Sequence, residues 1–193
     1  MRYWGSGSAV LLTTLCAYPQ TLPPSRVSKN AIHRTNELTL ARLRPGRDLI
    51  SKARQICWKT VEPKAGENTL TWASGCQEQV TNVDIDPSGK LLSVRIGDVP
   101  EYIEYECVGT PKNVWVTGHG LAIGDPESKV SRLYGPPDSR SPSTKGRQQL
   151  ELLYYAFDWA GPDVPQVMEA LCTPEKAGKP GRVVELTLTA QRL

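Results

Sequence analysis

The chain is short of the residues on which most metal and cofactor sites depend. Its 193 residues include one phenylalanine, two methionines and two histidines, His33 and His119, and no cysteine pair is spaced C-x-x-C. Two isolated histidines without a spaced Cys/His set give no basis for a zinc site, so no metal is expected. There is no G-x-S-x-G elbow of the hydrolase kind. No apolar run approaches the roughly 18–20 residues that span a bilayer, so no transmembrane span is expected. Charge of one sign is lacking too. The formal net charge of +3 drops by one if an N-terminal segment containing Arg2 is removed, which speaks against a nucleic-acid binder. Proline and glycine, by contrast, are plentiful at 16 each, and they mark a turn-rich chain of one substantial domain or two small ones.

The N-terminus carries an export pattern. Arg2 precedes the short apolar core AVLLTTLCA at residues 9–17, with a small-residue cleavage point after Ala17, so residues 1–17 read as a signal peptide. Residues 18–36 are polar and hold Pro, Ser and Thr, the composition of a flexible tether. Cys16 is the candidate for lipid attachment if it is not removed with the signal, although the bulky Leu15 before it departs from that motif. Membrane attachment therefore depends on Cys16 alone. The other cysteines, Cys57, Cys76, Cys107 and Cys172, make an even set, which in an exported chain implies two disulfides. Of three connectivities, Cys57–Cys76 with Cys107–Cys172 is favoured. The expected location is the periplasm or cell envelope, with secretion as the alternative.

A weak internal repeat organises the rest. LTLARLRPGRDLISKARQICW, residues 38–58, has a β-prone lead, a Pro-Gly turn, and apolar residues at Leu49, Ile50, Ala53, Ile56 and Cys57 that share one helical face. VWVTGHGLAIGDPESKVSRLYG, residues 114–135, repeats the plan with Val130, Leu133 and Tyr134. Strand-like runs follow each helix: residues 69–72, 79–86 and 91–97 after the first, and 149–157, 165–172 and 181–190 after the second. Residues 86–89, DPSG, read as a hairpin turn. Residues 101–109 read as a strand joining the halves. Without an alternating βαβ rhythm the expected class is α+β, with two divergent repeats, residues 37–109 and 110–193, each a short helix packed on an antiparallel sheet.

The glycines of residues 114–137 invite comparison with a nucleotide loop, but G-x-G-x-x-x-G is one residue longer than the dinucleotide fingerprint. Asp125 is the expected N-cap of the following helix, and Pro126 supplies no N–H there. Asp125 and Glu127 place negative charge where phosphate would sit. No cofactor is expected.

A Gly-Asp or Pro-Gly turn, a short helix with an inward Val or Ile, YGPPD at residues 134–138, a Leu-x-Tyr strand and GRVVELTL form a pattern. It resembles the small outer-membrane assembly lipoproteins and the related β-lactamase inhibitor protein-like fold, a tandem repeat of such a unit. Cys57-Trp58 departs from the Gly-x-Pro that ends the helix in that pattern. The resemblance implies an exported, non-enzymatic fold used for protein contacts, and it transfers no binding residues.

The candidate contact residues come from the chain itself. Tyr and Trp on an open sheet are common protein-binding anchors, and Trp72, Tyr102, Tyr155 and Trp159 lie on or beside expected strands. Tyr154 and Tyr155 must take opposite faces. Arg140, Lys145 and Arg147 fall in a Ser/Pro/Gly loop suited to an acidic partner or phosphate headgroups. Glu104 and Glu106 share a strand face with Tyr102, and as a carboxylate pair they supply the alternative, a small envelope hydrolase. The expected function is non-catalytic binding of another protein or an envelope component. A structural lipoprotein held by Cys16 is a third reading.

Overall fold

The computed structural model describes Arg34 and residues 37–56, 68–74, 79–98, 115–157, 166–176 and 178–190. These residues form two short helices, α1 (Ile50–Ile56) and α2 (Glu127–Tyr134), and seven strands. The strands are β1 (Thr69–Ser74), β2 (Gln79–Ile85), β3 (Leu91–Asp98), β4 (Ser139–Lys145), β5 (Gln148–Phe157), β6 (Gln166–Cys172) and β7 (Val183–Ala190). All neighbours are antiparallel in one sheet of order β1-β2-β3-β7-β6-β5-β4. The class is therefore α+β.

Strand alternation sorts the side chains onto two faces. On one face Val83, Val94, Ile96, Leu186, Leu188, Met168, Leu153 and Tyr155 pack against Ala53 of α1, Val130 and Tyr134 of α2, and the loop residues Leu38, Leu40, Leu43, Trp115 and Leu121. Helices this short are unstable alone, so α1 and α2 exist because this apolar layer holds them. Each fully buried Val, Leu or Ile contributes about 1.5–3 kcal/mol to that layer.

The approach to each helix is built from matching backbone bonds. Gly46 donates its N–H to Leu91 C=O at 2.7 Å, and Gly124 donates to Val183 C=O at 2.8 Å. Ile50 donates to Gly89 C=O at 2.8 Å, and Glu127 donates to Gly181 C=O at 2.9 Å. Leu91 N–H reaches Asp48 C=O, and Val183 N–H reaches Asp125 C=O, both at 2.9 Å. The leads to the two helices touch each other through Leu40 and Thr117. At the sheet centre Arg95 opposes Thr187, with Val94 against Leu188 and Ile96 against Leu186.

Several sequence expectations change. Asp125 does not cap α2. The cap position is Pro126, which offers no side-chain bond, while the Asp125 carboxylate turns back to Ala122 N–H at 2.8 Å and Lys129 at 2.7 Å. The Glu127 amide is occupied by Gly181 C=O, so that helix start has one fewer free donor for a phosphate. Leu49, expected on the buried face of α1, is half exposed, because it precedes the helix and bridges Lys90 instead. Residues 139–145, read as a loop, are edge strand β4. Its Pro142 is tolerated because an edge strand pairs on one side only.

Cys172 is a buried free thiol, which overturns its pairing with Cys107. Strand β6 aims it into the apolar core beside Val183. Burial first, and then the nearby Glu127 and Glu151 carboxylates, push its thiol up to about 12. Cys16, Cys57, Cys76 and Cys107 lie outside the described residues.

Arg34, placed by sequence in the tether of residues 18–36, has a buried side chain under the end of α2. Its Nε donates to Tyr134 C=O at 2.9 Å and its Nη2 to Pro136 C=O at 2.6 Å. Its Nη1 pairs with Asp138 at 2.7 Å, and both side chains are at least nine-tenths buried. The guanidinium carbon also lies 4.8 Å from the Tyr155 ring centre. No helix among the described residues is long and apolar enough to cross a membrane.

Candidate functional site

The face opposite the helices carries a row of polar residues, of which Thr187 is buried. Strand register places Thr71, Asn82, Arg95, Thr187, Glu169, Tyr154 and Ser139 directly opposite one another, one from each of the seven strands. Opposed residues share a face, so this is a continuous transverse row, and every member is polar. On one side of it run Thr69, Asp84, Ser93, Thr189, Val167 and Ala156, and on the other Val80, Gly97, Glu185, Leu171 and Leu152.

The row is partly tied together. Thr71 donates to Asn82 at 2.7 Å, Thr69 donates to Asp84 at 2.6 Å, and Ser93 donates to the other Asp84 oxygen. Glu185 lies 3.7 Å from Arg95 and 2.8 Å from Lys145. Glu169, next to Thr187 in the row, is half buried. Burial pushes its carboxyl above the usual range, Arg95 draws it back down, and Glu185 adds to the upward shift. A charge half-stripped of water beside a half-exposed arginine and Tyr154 is a chemistry suited to protein contact, in which Arg and Tyr are common anchors.

The sequence candidates are redistributed by this geometry. Tyr155 leaves the binding set: it is fully buried, because β5 alternation aims it at α2 and leaves Tyr154 for the open face. Trp72 pairs with Thr81 in register, and its side chain lies outside the described residues, as do Tyr102, Trp159, Glu104 and Glu106. Arg140 is held by Glu127 at 2.7 Å and Glu151 at 3.2 Å, so it clamps the start of α2 to β5. Lys145 is held by Glu185. Arg147 forms no ion pair among the described residues and lines a groove at the end of the β4–β5 hairpin.

Reading by sequence missed the transverse row. Its signal was the polar alternation of Glu185, Thr187 and Thr189 in β7 and of Arg95 between Val94 and Ile96 in β3. His119, on the glycine turn, is exposed and stacks on Tyr134 with ring centres 5.5 Å apart. Tyr134 shares a 2.6 Å hydrogen bond with Thr117, and burial pushes its phenol up to about 12. Among the described residues no three His, Cys, Asp or Glu side chains cluster as metal ligands would.

No protein-family model matches the chain, and no curated protein matches it. Among solved structures it is similar to a DUF4309 family protein (YjgB) from Bacillus subtilis subsp. subtilis str. 168, with 7% identity and a TM-score of 0.44 over 77% of this chain and 82% of that one.

Proposed function

We propose that this is an exported, non-catalytic protein that binds another protein or an envelope component through the open face of its sheet. The carrying observation is the row of seven opposed polar residues spanning every strand, with Arg95, Glu169 and Tyr154 near its middle. The helices and loops pack on the opposite face, so this one is not needed to hold the apolar core.

The chain on this reading is a duplication, as the resemblance to the outer-membrane assembly lipoprotein and β-lactamase inhibitor protein-like fold implies. The matched bonds at Gly46 and Gly124, and at Gly89 and Gly181, support it. So does the register of β3 and β7, in which Val94 opposes Leu188, Ile96 opposes Leu186 and Arg95 opposes Thr187. That pattern is what two copies related by a local twofold axis between Arg95 and Thr187 produce. The centre of the binding face is then the join between the copies.

The test is affinity capture from an envelope extract with wild type and Arg95→Glu, both checked for equal thermal stability. A captured protein retained by wild type and lost with Arg95→Glu supports the reading, and equal capture by both overturns it. Ester and glycan substrate screens address the rival. Turnover abolished by Glu104→Gln would replace binding with hydrolysis.

A further inference from the structure

The cations of the β4–β5 hairpin and of the β6–β7 connection divide into two kinds. Arg140 and Lys145 are spent on carboxylates of the fold. Arg147, Lys176 and Lys179 form no ion pair among the described residues. They meet Arg182 around one groove of about 500 Å³ where the two connections come together at the end of the sheet. That volume falls within the roughly 300–1,000 Å³ of ligand sites. Glu175, the carboxylate of the same connection, does not line it.

Lys176 and Lys179 are set in place by the backbone. Lys176 donates its N–H to Lys179 C=O at 3.1 Å, and Lys179 donates to Lys176 C=O at 2.8 Å. Residues that exchange both bonds are directly opposed, with side chains on one side. Opposed like charges are destabilising. Arg182 is fixed as well: its Nη1 donates to Gly124 C=O at 2.7 Å, and its N–H to the Thr173 hydroxyl at 2.9 Å.

We propose that this groove binds an acidic peptide segment of a partner protein. The four cations supply the charge complement for a run of carboxylates. Gln148 and Gln149 also line the groove, and each side-chain amide offers both a donor and an acceptor, as a peptide backbone requires. Pro174 and Pro180 supply apolar wall. A phosphate-bearing membrane surface fits less well, because the site is concave and its lining has no large apolar side chain to insert. None of the lining residues belongs to the transverse row, so this site does not rest on the open-face reading.

The test uses the full mature chain and a fluorescein-labelled hexaglutamate peptide, read by anisotropy at low salt. Wild type is expected to bind, with affinity falling as salt rises. The double variant Lys176→Glu/Lys179→Glu is expected to weaken binding roughly tenfold or more through like-charge repulsion. Arg132→Glu, an exposed reversal on α2 outside the groove, is expected to leave it unchanged. If the double reversal fails to fold by circular dichroism, Lys176→Ala/Lys179→Ala replaces it with the same direction expected. Absence of peptide binding by wild type, or equal binding by the charge variants, overturns the proposal. Tighter binding to phosphatidylglycerol vesicles than to the peptide, lost in the double variant, overturns it in favour of a membrane surface.

Discussion

The two helical corners share a backbone plan and differ in what locks them. At each, a glycine N–H and the first helical amide bond to the segment leading into a central strand, β3 for α1 and β7 for α2. Each corner also carries an aspartate paired with a lysine one helical turn on, Asp48 with Lys52 and Asp125 with Lys129. The locks differ. Asp48 is buried and also takes Arg44 Nη2 at 2.9 Å, whereas Asp125 is only partly covered. The second corner is closed from below by Arg34, whose guanidinium gathers the carbonyls of Tyr134 and Pro136 and the Asp138 carboxylate. The two corners thus share a backbone frame and are secured by different side chains.

The largest expected break in this comparison is Arg34→Ala. Removing one partner of a buried pair leaves Asp138 without its counter-charge and the Tyr134 and Pro136 carbonyls without their donor, a loss of about 3–5 kcal/mol. Asp138 also accepts Ala156 N–H at 2.7 Å, so the strand it anchors loosens with it. Urea unfolding of the variant should show that loss, and a change under about 1 kcal/mol would mean that the α2 corner does not depend on Arg34.

The glycines that receive the first helical amides sharpen the comparison at a smaller scale. Gly89 has φ of +80°, and there an added Cβ meets the Ile50 side chain at 3.2 Å. Gly181 needs no unusual φ, but its added Cβ would lie 2.5 Å from Thr173 C=O. Gly181→Ala must move backbone and should cost about 1–3 kcal/mol. Gly89→Ala should cost about 1–2 kcal/mol, the penalty of a left-handed conformation. Thermal unfolding ranks the two, and the reverse order would show that strain outweighs crowding at these corners.

Much of this frame was legible from sequence because alternation and turn chemistry are local. The expected strands at residues 79–86, 91–97, 149–157 and 165–172 lie within a residue or so of β2, β3, β5 and β6, and the DPSG turn forms with Gly89 at positive φ. What was not legible depends on contacts between distant segments. Strand β4 was hidden by Pro142 and its serines, because its partner β5 supplies the pairing that its own propensity does not. Arg34 looked like tether because no local pattern announces a side chain whose acceptors lie about a hundred residues away. The transverse row required the register of six strand pairs, which no single segment contains.

The finest difference lies between the two aspartates. Burial would raise the Asp48 carboxyl, but hydrogen bonds from Arg44 and Lys52 outweigh it and hold the group below the ordinary value of 3.8. A carboxylate depressed in the folded state contributes stability above the unfolded value, and that stability drains away as pH falls through the folded one. Asp48→Asn should therefore cost about 1 kcal/mol at neutral pH, the scale of one net hydrogen bond. The cost should vanish below the pH at which Asp48 is itself protonated. Asp125→Asn removes a single partly exposed i,i+4 ion pair and should cost about 0.3–0.5 kcal/mol. Unfolding free energies of both variants, measured from neutral pH down through the carboxylate range, test this ordering. Equal losses at neutral pH would mean that the burial of Asp48 and its second partner, Arg44, add nothing to the first corner beyond one ion pair.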